Sequence, residues 1–147
     1  MSEIRIQNQD FNAGEEIAAL TDSGGAVGAV ANFIGIVRGD DGMVAMTLDH
    51  YPGMCEREIA AHVEEAKRRW PILGVRIVHR VGRLTPGDNI VFVGVASAHR
   101  GAAFQAAEFL MDYLKTRAPF WKLEERNSSS VWVEAKSEDD HSANRWK

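Results

Sequence analysis

The segment "MDYLKTRAPFWKLEER", Met111 to Arg126, sets Lys115 and Lys122 on either side of an Ala-Pro, with aromatic residues crowding the second lysine. On an unbroken helix residues seven apart share a face. Pro119 forbids that arrangement, because its ring would clash with the carbonyl of Lys115 and it pushes Ala118 toward extended backbone. The helix is therefore expected to stop near Arg117, with Lys115 in its last turn and Lys122 on a strand, facing the same way as Phe120. Two readings follow. Lys115 can complement the negative end of the helix dipole while Lys122 lays its stem over aromatic rings. Alternatively, an ammonium half-buried among Met, Phe and Trp loses hydration, which equips it as proton donor, base or nucleophile.

A second polar group lies in "SAHRGAAF", which places His99 and Arg100 in the first turn of the same helix. Cations there oppose the helix dipole and suit an anion held beside free backbone N–H groups, although a solvated first turn is the alternative. Arg38 closes the apolar run "FIGIVRG", where an ion pair with Asp40 or Asp41 competes with a binding role. His50 reads as packed, and His62 and His79 as structural or exposed. Neither these nor His141 show metal-ligand spacing, so no metal is expected. Cys55 near a helix start could have an activated thiol or be a small neutral side chain. From His99 to Lys115 is sixteen residues, about 24 Å of helix at 1.5 Å per residue. The two ends cannot grip one small molecule within one chain. If both serve one site, a second copy must supply one of them, which implies a symmetric dimer.

The elements that must hold these groups are legible in outline. A chain of 147 residues suits one domain over 1–147. A net charge of −4 argues against a general binder of nucleic acid or anionic membrane. A single cysteine precludes an intrachain disulfide. No apolar run reaches membrane-spanning length and no signal-like segment opens the chain, so cytoplasmic residence is expected. After a short first strand, "FNAGEEIAAL" reads as a helix capped by Asn12, with Glu15 placed to reach back. Residues 26–38 read as a buried strand bent at its glycines, and "MVAMTLDHY" as the next. Ile59, Val63, Ala66 and Trp70 form one stripe of a second helix stopped by Pro71. "GVRIVHRVG" and "NIVFVGVAS" read as strands around the turn "LTPGD". Ser97 is placed to cap a long helix over 98–117, and "FWKLEER" and "VWVEA" to close the chain as strands. This irregular mixture predicts an α+β fold with a mainly antiparallel sheet.

With those segments in place the chain resembles the large, catalytic subunit family of molybdopterin synthase. The match runs in order through "FIGIVRG", "LDHYPGM", "RWPILGVRIVHRVGRLTPGD", "VASAHRGAAFQAAEFLMDYLKTRAPFWKLE", "VWVEA" and "NRW". The resemblance implies an α/β-hammerhead-type domain and a sulfurtransferase that makes the dithiolene of molybdopterin from cyclic pyranopterin monophosphate. Its sulfur would arrive as a thiocarboxylate on the C-terminal Gly-Gly of a small ubiquitin-like subunit. The implied assembly is a homodimer within a heterotetramer, with no cofactor. Carried over by position, Lys115 and Lys122 fall on the catalytic lysines. Ile36, Val37, Arg38, His99, Arg100, Lys122, Leu123 and Glu124 fall on substrate contacts, with Lys115 among them. Phe33 and Met111 fall on pocket walls, which "APFW" extends. Lys136 stands where an arginine is expected, keeping the charge without the bidentate fork, and the turn "NSSS" lacks an expected glycine. Lys115 is then the expected acid/base and electrostatic stabiliser at the tail's carbonyl, and Lys122 the group that orients the pterin or stabilises the opening cyclic phosphate. A Schiff-base enzyme using Lys115 and a non-catalytic module that only binds a tail are the competing classes.

Overall fold

The computed structural model describes residues 2–22, 25–127, 129–133 and 137–147. In chain order the elements are β1 (Ser2–Gln7), α1 (Ala13–Thr21), β2 (Ala29–Ile36), β3 (Met43–His50), α2 (Met54–Arg69), β4 (Ile72–Arg80) and β5 (Gly82–Leu84). They continue with β6 (Asn89–Ser97), α3 (Arg100–Thr116), β7 (Phe120–Arg126), β8 (Ser129–Val133) and α4 (Ser137–Asn144). The strands form two four-stranded sheets, β1-β4-β6-β2 and β5-β3-β7-β8. Among the described residues β1 runs parallel to β4 and every other pairing is antiparallel. The fold is α+β, as the irregular order of strands and helices implied.

The first sheet is covered on both faces, because its strands alternate between two apolar sets. Val75, Ile77, Val91, Val93 and Val95 pack under α2 and α3, against Ile59, Val63, Ala66 and Leu110. Val78, Phe92 and Ala96 point the other way, onto Phe11 and Leu20 beside α1. Glu16 of α1 is buried on that second face and ion-paired to Arg5 of β1 and, at 2.9 Å, to Arg76 of β4. Burial alone would raise its pKa, but the two guanidinium partners outweigh that and hold the carboxyl below its ordinary value. The second sheet has a smaller core of Val37, Met46, Leu48 and Leu84.

Local signals explain most boundaries. Asn12 Oδ1 accepts from the Glu15 N–H at 3.1 Å, capping α1 as its sequence position implied. Glu56 Oε1 accepts from the Gly53 N–H at 2.9 Å at the start of α2. Three expectations need correction. Residues 26–38 are not a fully buried strand: β2 covers only Ala29–Ile36 and sits at the edge of its sheet, with Phe33 and Ile36 exposed and a register shift at Gly35/Ile36. The α3 N-cap is His99 rather than Ser97. Ser97 is consumed by β6, where it pairs with Ala29 and Ile72, and its hydroxyl donates to the His99 carbonyl. The stretch after β4 does not turn straight back. At Gly82 (φ +95) the chain crosses into the second sheet as β5, a conformation that glycine adopts without a Cβ penalty. The glycine missing from "NSSS" is answered by Asn127, which takes φ +49.

Candidate active site

α3 ends as Pro119 requires. Its last turn closes at Thr116, and the Arg117 and Ala118 N–H groups both donate to the Tyr113 carbonyl, at 2.8 and 3.1 Å. Three residues beyond Arg117 the chain is already β7, paired with β3 so that Phe120 opposes His50 and Lys122 opposes Leu48. This abrupt change from helix to strand brings both lysines to one cleft of about 770 Å³ between the two sheets. Phe33 and Ile36 of β2, Arg38, and Met111 of α3 open onto the same space. So do Ala118, Phe120, Trp121 and Glu124.

The lysines differ in setting. Lys122 is half-buried, its side chain 30% exposed and its Nζ 3.9 Å from Glu124 Oε2. Glu124, 15% exposed, also accepts from Arg126 Nε and Nη2, at 3.2 and 3.1 Å. Lys115, in contrast, is exposed. The expectation that both amines are dehydrated therefore holds in part for Lys122 and fails for Lys115 in the isolated chain, because the last turn of α3 stands at the open mouth of the cleft. Arg38 reaches outward, 77% exposed, with its Nε 2.8 Å from Asp40 Oδ2. That is one of the two ion pairs considered for it.

Other expected contacts are not gathered here. His99 and Arg100 are exposed at the far end of α3 and do not line the cleft. Val37 is buried in the core of the second sheet, and Leu123 points away from the cleft between Thr47 and Trp132. Lys136 lies outside the described residues. Cys55 is buried, which pushes its thiol up to about 12 and removes the activated-thiol reading. His62 stacks on Tyr113 at 3.5 Å, away from the lysines, as a packing residue.

His79, read from the sequence as structural or exposed, is structural, and its place in the cleft is what sequence reasoning missed. It is buried on β4 and lines the cleft with the lysines. Its ring stacks on Phe120 at 4.0 Å and 18°, and its Nδ1 lies 2.8 Å from the Arg80 carbonyl. A carbonyl only accepts, so Nδ1 carries the proton. Burial, with Lys115 and His50 acting in the same direction, pushes its pKa down to about 4 against the opposing pull of the Arg80 carbonyl. His79 lies two residues beyond Ile77 in the alternating run "VRIVHR" and so shares its face, but its contact with a strand from another sheet depends on packing.

The family model of the MoaE protein matches residues 6–117. The chain belongs to the MoaE protein family. It is 55% identical to the molybdopterin synthase catalytic subunit of Mesorhizobium japonicum, over 98% of this chain and 92% of that one. It superposes on the molybdopterin biosynthesis MoaE protein from Burkholderia ambifaria with a TM-score of 0.86 and 51% identity, covering 99% and 98% of the two chains. A complex of subunits 1 and 2 of molybdopterin-converting factor from Helicobacter pylori shares the fold, with a TM-score of 0.77 at 20% identity over 91% of this chain and 92% of that one. As a MoaE-family member the chain is a sulfurtransferase, the catalytic subunit type that transfers sulfur to a pyranopterin. No described helix is long and apolar enough to cross a membrane.

Proposed function

We propose that the cleft between the two sheets receives the thiocarboxylated C-terminal tail of a small ubiquitin-like subunit, and that Lys115 and Lys122 act there on cyclic pyranopterin monophosphate. The observation that carries this reading is the convergence of a helix end and a separate strand, so that both lysines open onto one cleft walled by Phe33, Met111, Phe120 and Trp121. A thin Gly-Gly tail suits an apolar slot of this kind, and backbone pairing along an extended tail would add affinity. The two-subunit complex from Helicobacter pylori supports a partner of this class.

The chemistry follows from the residue types. The tail's sulfur bonds to a pterin side-chain carbon as that carbon's C–O bond to the cyclic phosphate breaks. The phosphate opens to a monoester that keeps the departing oxygen, and the tail is left as an acyl thioester. Water then attacks the acyl carbonyl, which releases the tail as a carboxylate and leaves sulfur on the pterin. Lys115 at the mouth stabilises the oxyanion of that second step and moves its proton. Docking of the tail supplies the dehydration that Lys115 lacks in the isolated chain. Lys122, restrained by Glu124, orients the pterin. Arg38 holds phosphate charge from one side. His99 and Arg100 serve the same site from a second copy, because α3 spans about 24 Å and carries them away from their own chain's cleft. The working unit is thus a homodimer flanked by two small subunits, resident in the cytoplasm.

Reconstitution tests this reading. Thiocarboxylated small subunit plus cyclic pyranopterin monophosphate should give a dithiolene product by mass analysis. Lys115→Ala should lower turnover by about 10³-fold or more while the partner still binds. Undiminished turnover would leave a tail-binding module, and borohydride trapping of a small carbonyl compound on Lys115 would leave a Schiff-base enzyme. Mixing His99→Ala chains with Lys115→Ala chains should restore part of the activity through heterodimers. No recovery despite proven subunit exchange overturns the shared site.

A further inference from the structure

His79 has three connections. Its Nδ1–H is bonded to the Arg80 carbonyl at the end of β4, one residue before the chain leaves for the second sheet. One face of its ring lies on Phe120, the first residue of β7. Its own strand pairs it with Ile6 of β1 and Val91 of β6, inside the sheet that is covered on both faces. The ring therefore joins the well-packed first sheet to the strand that carries Lys122, at the floor of the cleft. Phe120 lies between the two lysines in sequence and faces the cleft as Lys122 does.

The residue type fits that place. A phenylalanine would stack but could not donate to the carbonyl, and a lysine or arginine would bring a second cation beside Lys115. A neutral imidazole can do both jobs without altering the field of the ammonium. The titratable groups that act on its charge are Lys115 on α3 and His50 on β3, while Lys122 and Glu124 of β7 line the same cleft.

We propose that His79 is a positioning residue, which pins Phe120 to the end of β4 and so sets the placement of Lys122 relative to Lys115. This rests on the catalytic reading of the two lysines. A displacement of about 1 Å at a reacting group can cost about 100-fold in rate, so loss of the pin is expected to appear in kcat. Substrate affinity depends on the phosphate contacts and is expected to hold.

The test uses the reconstituted synthase with His79→Leu and His79→Phe, each first shown to be folded by circular dichroism. His79→Leu, which loses both stack and hydrogen bond, should lower kcat by about 10–100-fold with KM for the pterin within about threefold. His79→Phe, which keeps a ring for Phe120, should retain an intermediate kcat. Amide hydrogen exchange on the same chains should quicken over residues 120–122 in His79→Leu while Val93 and Val95 of β6 stay protected. A folded His79→Leu protein with wild-type kcat and unchanged exchange at 120–122 overturns the proposal, as does a loss confined to KM. Full activity of Lys115→Ala and Lys122→Ala would instead overturn the lysine reading, and the exchange data would still judge the pin.

Discussion

The two sheets have the same number of strands and very different cover. The first is packed by helices on both faces, with Val75, Ile77, Val78, Phe92, Val93 and Val95 fully buried. The second has one small core, and its outer strand β8 leaves Val131 and Trp132 58% and 60% exposed. Lys115 belongs to a helix anchored on the first sheet and Lys122 to a strand of the second. The division teaches that the site is built on a seam: one lysine is held by bulk packing, the other by strand pairing and a few cross-sheet contacts.

Core truncation should break the comparison most sharply. Phe92→Ala removes a fully buried ring that meets Phe11 edge-on at 6.1 Å. A loss of about 4 kcal/mol is expected from denaturant melts. Leu48→Ala in the core of the second sheet should cost about 2 kcal/mol, at the low end for buried leucines, since less packing surrounds it. Equal losses would show that the second sheet is as tightly built as the first.

Acid should probe the seam itself. His79 titrates near 6.5 when unfolded and at about 4 when folded. Above pH 6.5 it is neutral in both states and its contribution to stability is fully present. As pH falls from 6.5 toward 4 the unfolded chain binds a proton that the folded chain refuses, and stability drops by about 3 kcal/mol. Melts of wild type and His79→Phe across that range should converge toward low pH. Parallel curves would mean that His79 is more accessible to protons than its burial indicates.

The smallest effect is expected at the exposed edge. Trp132→Thr should change folding stability by no more than about 0.5 kcal/mol, as for most surface substitutions. A loss beyond about 1.5 kcal/mol would show that β8 contributes to the core.

What the sequence made legible was local. Pro119 dictated where α3 stops, Asn12 announced its own cap, and the α2 stripe marked its buried face, because each depends on neighbours within a turn. What stayed illegible depended on partners far along the chain. β2 carries enough apolar residues for a central strand, and only the finished strand order makes it an edge. β5 is three residues long, too short for any periodicity. α4 is polar nearly throughout and gives no stripe to detect. The site divides the same way. Lys115 and Lys122 could be placed on helix end and strand from Pro119 alone, whereas their differing exposure and the stack of His79 on Phe120 come from packing between sheets.

The buried Glu16 has a consequence for how the chain finds its pairing. β1 runs parallel to β4 and joins its sheet along a single edge, so its alignment rests on Ile4 and Ile6 packing against the core and on the ion pairs of Glu16. A slip of one residue would turn Arg5 to the opposite side and strand one carboxylate oxygen without its counter-ion. The three-residue clasp thus acts as a proofreader, making misaligned docking of the first strand costly before any chemistry begins.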